Sequence, residues 1–183
     1  LTYQDGHREV VVSDGSFKTS TGGLLASDML MGDRYDARLE PVGWKLPGFD
    51  DASWTPVTET TDPHDAWKIA SRSVPVREME RFEPEVFTDS KGQRVLDFGQ
   101  NIAGYVRMKL RNTKAGQRIR LLHGEDIKDG AFSQENISNT SLPVPAFQEV
   151  EYVCKGEALE EYCPSFSIFG FRYVLLEGYD EPI

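Results

Sequence analysis

The sequence predicts an all-β protein. Short runs of Val, Leu and aromatic residues are punctuated by Gly, Pro and Asp, which is the grammar of strands and turns. The stretch over residues 95–110, VLDFGQNIAGYVRMKL, reads as a strand, a tight polar turn and a second strand. In that second strand Val106, Met108 and Leu110 point one way and Arg107 and Lys109 the other, as a period of two requires. With 39% hydrophobic residues, ten Phe, seven Tyr and three Trp, the 183-residue chain can furnish a sizeable core in one large or two small domains.

Taken in order, residues 1–20 carry hairpin punctuation at Asp5-Gly6 and Asp14-Gly15, with a strand expected over residues 9–12 and Phe17 in a short third strand. Residues 24–31 fit a short helix on propensity, or a loop or strand covering a sandwich edge between Gly22-Gly23 and Gly32-Asp33. Tyr35, Ala37 and Leu39 alternate with Asp36, Arg38 and Glu40, which predicts a strand with one polar face. Gly43, Pro47 and Gly48 then break regular structure and leave Trp44, Phe49 and Trp54 as aromatic anchors of a long loop. An exposed ring of that set is also a platform for a pyranose, with nearby Asp or Arg for its hydroxyls.

Residues 58–74 have a linker's composition, with Trp67 and Ile69 as docking points. Strand patterning resumes from Pro75 in VREMERF, continues over residues 85–88, turns at residues 89–92 and enters the organising stretch. Residues 112–116 read as a polar turn, and residues 118–123 as a strand with Ile119 and Leu121 on one face. A long polar excursion follows to Phe147, of a length uncommon for mere connection. Further strands are expected over residues 149–154 and 166–179, with a polar turn or short strand between them. In the last, Phe171, Tyr173 and Leu175 alternate with Arg172, Val174 and Leu176, so both faces are apolar and the strand is central; Gly170 permits a bulge or close packing.

Chemistry is harder to find than architecture. The formal charge of -10 and the absence of an obvious basic cluster argue against a nucleic-acid surface. No apolar run reaches the ~18 residues that span a bilayer, which predicts a soluble chain whose parent is cytoplasmic or exported. Its start, without Met and within an apparent strand, suggests a piece of something longer. His7, His64 and His123 stand in separate segments, and no zinc, phosphate-loop or dinucleotide pattern occurs. Cys154 and Cys163 flank a turn and are read as ordinary thiols ahead of a disulfide. Sequons begin at Asn136 and Asn139. Asp28, Asp33, Asp36, Asp50 and Asp51 offer hard oxygens but match no calcium loop. Asp97 is expected to accept turn N–H groups, with Gln100 and Asn101 satisfying nearby backbone, while Glu125 and Asp126 are expected to partner Arg107 or Arg120.

Four stretches in order, GDRYDARLEPVGWKLPGFDDASWTPV, DFGQNIAGYVRMKLR, LLHGEDIKDGAF and FSIFGFRYVLLEGY, resemble the non-catalytic N-terminal region of bacterial-type α-L-rhamnosidases of glycoside hydrolase family 78. The resemblance implies the C-terminal part of a galactose-binding-like β-sandwich over residues 1–57, a linker over 58–74 and a concanavalin-like antiparallel β-sandwich over 75–183. It places catalysis in a later (α/α)6 barrel, so this chain is expected to hydrolyse no glycoside by itself and to have that barrel as its partner. The structural motif it carries is Asp97, Gly99, Gln100, Asn101, Glu125, Gly170, Arg172 and Tyr173. Two departures stand out: Gly32-Asp33 where the family more usually has Gly-Glu, and Phe169 where a His is common. The alternative is a module for L-rhamnose-containing glycans built on Tyr35, Asp36, Arg38, Trp44 and Trp54, with calcium entering only under that reading. A distant third, an independent glycosidase, would need Glu125 or Asp126 as its acid.

Overall fold

A computed structural model describes residues 1–60, 74–137 and 147–182. His64, Trp67, Ile69, Ser138 of the first sequon and the whole second sequon lie outside the described residues. The chain separates into two compact units, one of Leu1–Thr21 with Val42–Glu78, the other of Gly22–Pro41 with Met79–Ile183. Residues 22–41, read from the sequence with the first sandwich, thus pair their backbone within the second unit.

In the first unit β1 (Lys18–Thr19) pairs antiparallel with β4 (Thr55–Pro56). Leu1 to Arg8 closes a turn through an isolated bridge between Thr2 and Arg8, and the strand expected over residues 9–12 does not form. Val10, Val11 and Val12 are all exposed, so β-propensity alone had no apolar layer to pack on.

The second unit begins with the edge hairpin of β2 (Leu24–Asp28) and β3 (Gly32–Asp36). After Asp36 the expected strand stops and Ala37–Leu39 makes a 3-10 turn. Asp36 causes this: its carboxylate accepts from the Arg38 N–H at 3.1 Å and from the Arg38 guanidinium at 2.9 and 2.7 Å, a local cap that outbids the ladder. The strands β5 (Glu85–Thr88), β6 (Arg94–Gly104), β7 (Met108–Arg111), β8 (Arg118–Gly124), β9 (Asp126–Lys128), β10 (Ala131–Ser133), β11 (Glu149–Val153), β12 (Leu159–Tyr162) and β13 (Phe169–Glu177) follow. VREMERF, expected as a strand, carries none.

Seven strands form one sheet in the order β2-β3-β11-β8-β13-β6-β5, antiparallel except for β3 beside β11. One face is covered by the β7–β12 pair, whose Met108, Leu110 and Tyr162 meet Leu96, Ile119, Leu121, Val150, Tyr152, Phe171 and Val174 in the main core. Part of the other face is covered by the β9–β10 hairpin, where Phe132 and Ile127 pack on Val95, Leu175 and Tyr173. That hairpin turns at Asp129-Gly130, both at positive φ (52° and 77°). This is the signature of a type I′ turn, and it orders a segment the sequence left as an irregular excursion. Where the second face is uncovered it carries charge: Arg120 grips Glu149 through two nitrogens at 2.8 and 3.0 Å and also meets Glu177.

The strand β13 is central, between β8 and β6, and its phase shifts between Phe171 and Tyr173. Strict alternation therefore fails: Phe171 shares the main core with Val174 and Leu176, whereas Tyr173 and Leu175 serve the second cluster. Cys154 and Cys163 form no disulfide with each other; β12 pairs with β7, not with β11, and burial and the nearby Glu160 push the Cys154 thiol up to about 11.

His123, at the end of β8, is fully buried against the rings of Phe169 (4.7 Å) and Phe171 (4.8 Å). Its Nδ1–H donates to the Gln148 carbonyl at 3.1 Å, and Nε2 has no partner among the described residues. Burial pushes its pKa down to about 4, only partly offset by that hydrogen bond. The folded value lies below the unfolded value of about 6.5, so the unfolded chain takes up the proton first. Stability is therefore full above pH 6.5 and falls as the pH drops towards 4, by about 3 kcal/mol in all. Urea midpoints measured from pH 7 to 5, before most carboxylates titrate, are expected to show this loss, and His123→Leu to flatten it.

Candidate functional site

The motif residues converge, but not as a hairpin turn. Tyr173 pairs with Asp97 and Phe171 with Ile102, so Phe98 to Asn101 face Arg172 alone and β6 runs through them as one bulged strand. The expected two-strand hairpin around Asp97 to Asn101 is therefore corrected to a wide bulge inside a single strand. Its frame is ionic. Arg172 donates through Nε to Asp97 Oδ1 at 2.8 Å and through its terminal nitrogen to Oδ2 at 2.9 Å, while Oδ1 also accepts from the Gly99 N–H at 2.7 Å. The Arg172 guanidinium foremost, with the Gly99 N–H, holds the Asp97 carboxyl below the usual range against the effect of burial. Gly99 sits at φ 79°, a conformation that the crest of the bulge demands. The guanidinium also lies 4.9 Å from the centre of the Tyr173 ring.

Beside the bulge, Glu125 Oε1 accepts from Asn101 Nδ2–H at 2.9 Å and Oε2 from Asn136 Nδ2–H at 3.2 Å. The arginine partner expected for Glu125 is thus replaced by two amides. Gly170 lies against this carboxylate, since a Cβ there would be 3.4 Å from Oε1. Gln100 is exposed on the crest.

The second set of residues divides between the two units. Tyr35, Asp36 and Arg38 belong to the second unit, Trp44 and Trp54 to the first. Tyr35 is half-buried in an aromatic group with Tyr152 (5.9 Å, stacked) and Tyr162 (4.9 Å), and its hydroxyl donates to Glu40. Asp36 and Arg38 are spent on each other. Trp54 packs between Trp44 (6.4 Å) and Phe49 (5.6 Å), and Lys45 lies over Trp44, which is 42% exposed. Of the aspartates, Asp28 accepts from the Leu30 and Met31 N–H groups, Asp50 from the Ala52 N–H, and Asp51 pairs with Lys18. Asp33 takes hydroxyls of Ser27, Ser167 and Tyr162. Among the described residues no three His, Cys, Asp or Glu side chains converge as metal ligands.

A buried acidic network went unread in the sequence. Tyr35, Tyr152 and Tyr162 each donate to a different carboxylate, Glu40, Glu160 and Asp33, at 2.8, 2.9 and 3.0 Å. Burial first, and the adjacent carboxylate next, push all three phenol pKa values up. The signal was available: Asp33 with Tyr35, and Glu160 with Tyr162, stand two apart and therefore on the same inward face of their strands.

Residues 88–183 match the family model described as the bacterial α-L-rhamnosidase concanavalin-like domain, and residues 1–80 that of the α-L-rhamnosidase N-terminal domain. The chain belongs to the bacterial α-L-rhamnosidase family. It is 34% identical to an α-L-rhamnosidase of Formosa agariphila over 97% of its length, and 35% identical to one of Streptomyces avermitilis over 98%. Among solved structures it resembles the native α-L-rhamnosidase of Aspergillus terreus (33% identity, TM-score 0.84, all of this chain). The Streptomyces avermitilis α-L-rhamnosidase complexed with L-rhamnose is equally similar (33%, TM-score 0.85, all of this chain). The chain spans only 19% and 17% of the two curated relatives, and 20% and 17% of the two solved chains. It corresponds to an N-terminal accessory region of a larger α-L-rhamnosidase, with the all-β architecture of that region.

Proposed function

We propose that this region supports and orients the (α/α)6 catalytic domain of an α-L-rhamnosidase during hydrolysis of terminal α-L-rhamnosides. The observation that carries this reading is an exposed apolar cluster in the second unit. Met29, Leu30 and Met31, at the β2–β3 turn, are 70%, 62% and 41% exposed. The Ser167 hydroxyl donates to the Asp28 carbonyl and the Glu149 N–H to the Met31 carbonyl, which draws Phe166, Ile168 and Phe147 alongside that turn. All three are exposed as well. A joined set of large apolar side chains on a soluble surface marks a contact with another protein surface.

The test is sedimentation of this chain with the separately produced remainder of an α-L-rhamnosidase that carries it. A complex is expected, and Leu30→Ser with Phe166→Ser is expected to weaken it by about tenfold or more. Independent sedimentation of the two wild-type parts would sink the reading. A second reading, a binding module for L-rhamnose-containing glycans, draws on the half-exposed Trp44 beside Trp54 and names those two indoles as the groups that respond to sugar.

A further inference from the structure

We propose that the β6 bulge is a binding site for an uncharged sugar residue, read by the side-chain amides of Gln100, Asn101 and Asn136 around Glu125. Strand β5 pairs with β6 only from Arg94 to Asp97, so beyond Asp97 that edge of β6 has no strand partner among the described residues. A bulge is a common way to blunt such an edge, and Asp97, Gly99 and Arg172 suffice to build this one.

Edge protection does not account for the rest. Two amides from separate segments, Asn101 on the bulge and Asn136 after the β9–β10 hairpin, hold one oxygen each of Glu125. Gly170 lies beside that carboxylate, where a Cβ would stand at ordinary contact distance, 3.4 Å from Oε1. Ordering exposed side chains in this way costs rotamer freedom and returns little stability at a wet surface. Such pre-positioning is the arrangement a recognition site requires.

The chemistry on offer selects the ligand. Each asparagine uses one N–H on Glu125, which fixes its plane and leaves its carbonyl and second N–H without a partner among the described residues. The Gln100 amide is likewise unengaged on the crest. Neutral donors and acceptors in alternation match hydroxyl groups, each of which both donates and accepts. An anion is disfavoured, because the one cation of the cluster, Arg172, is consumed by Asp97 in a two-point pair and Glu125 is itself negative. An added peptide strand is disfavoured too: the bulged backbone of Phe98 to Asn101 cannot present the regular row of N–H and C=O groups that strand addition uses.

The test is a residue-resolved NMR titration of the whole ¹⁵N-labelled chain with L-rhamnose, with glycerol as the control polyol. Saturable shifts are expected at the side-chain amides of Gln100, Asn101 and Asn136, with a midpoint on the order of millimolar. Asn101→Ala is expected to weaken binding about tenfold while the core resonances stay in place. Asn136→Ala, from a different segment, is expected to do the same should the first variant disturb the bulge. Absence of saturable shifts at about 100 mM sugar, a response equal to that with glycerol, or full affinity in a folded variant overturns the proposal. Shifts confined to the Trp44 and Trp54 indoles overturn it as well and favour the aromatic platform. The docking reading survives or fails separately, in the sedimentation of the two parts.

Discussion

Replacing Glu160 by glutamine is expected to remove roughly 3–5 kcal/mol of stability, a large share of what a domain of this size holds. Glu160 is only 2% exposed, and its two oxygens take hydroxyls of Thr113 and Tyr152 and the N–H groups of Lys155, Gly156 and Glu157. Every partner is a donor, so the NH2 of a glutamine would face donors with nothing to accept. Burial alone raises this carboxyl's pKa, but the Thr113, Lys155, Tyr152 and Gly156 donors together outweigh it and hold it below the usual range. The folded value lies below the unfolded one, so the stabilisation is fully present above about pH 4.3 and is lost as the pH falls through the folded value. Urea unfolding at pH 7 checks the first statement through a lower midpoint at unchanged slope. A shallower acid limb in Glu160→Gln checks the second; an unchanged midpoint at pH 7 would refute the donor account.

Gly32→Ala is expected to be as severe, roughly 4 kcal/mol or more, for a steric reason. Gly32 stands at φ 97°, and a Cβ built on it would lie 1.8 Å from the Glu149 carbonyl oxygen and 3.0 Å from the Phe169 ring. The clash is with backbone at the point where β3 runs parallel beside β11, so neither side can move without opening the sheet. Amide exchange is the decisive measurement. Protection of Tyr35 and Asp36 is expected to collapse while that of β8 and β13 persists, because those strands hold each other and the main core. Loss of protection throughout the sheet, or none at all, would contradict the local account.

Much of this architecture could be read from residue order. Met108 and Leu110 face the core and Lys109 faces water as period two requires, Ile119 and Leu121 share the inward face of β8, and β13 is central because both its faces are apolar. The hairpin at Asp129-Gly130 was legible but passed over, since the polar residues around it masked two buried side chains, Ala131 and Phe132. The strands expected over residues 9–12 and 76–82 failed for one cause: Val10, Val11, Val12, Val76 and Met79 are exposed and meet no second layer.

The candidate site was legible as a list of residues and illegible as a shape. Asp97, Gly99, Asn101, Glu125, Gly170, Arg172 and Tyr173 do assemble, yet Asp-Phe-Gly-Gln-Asn reads locally as a turn, with an acid, a glycine and two amides in the positions a turn favours. What makes it a bulge is β13, distant in sequence, which pairs with β6 on both sides of the excursion and supplies Arg172 to hold it.

The sequence by itself determined the all-β class, the inward faces of β7 and β8, the two apolar faces of β13 and the family, because alternation, turn residues and ordered motifs are properties of neighbours along the chain. Only the tertiary structure decided that residues 22–41 join the second unit's sheet, that Tyr35 is spent in a buried network, and that the Asp97 motif is a bulge. Each of those depends on a partner strand whose pairing no local pattern encodes.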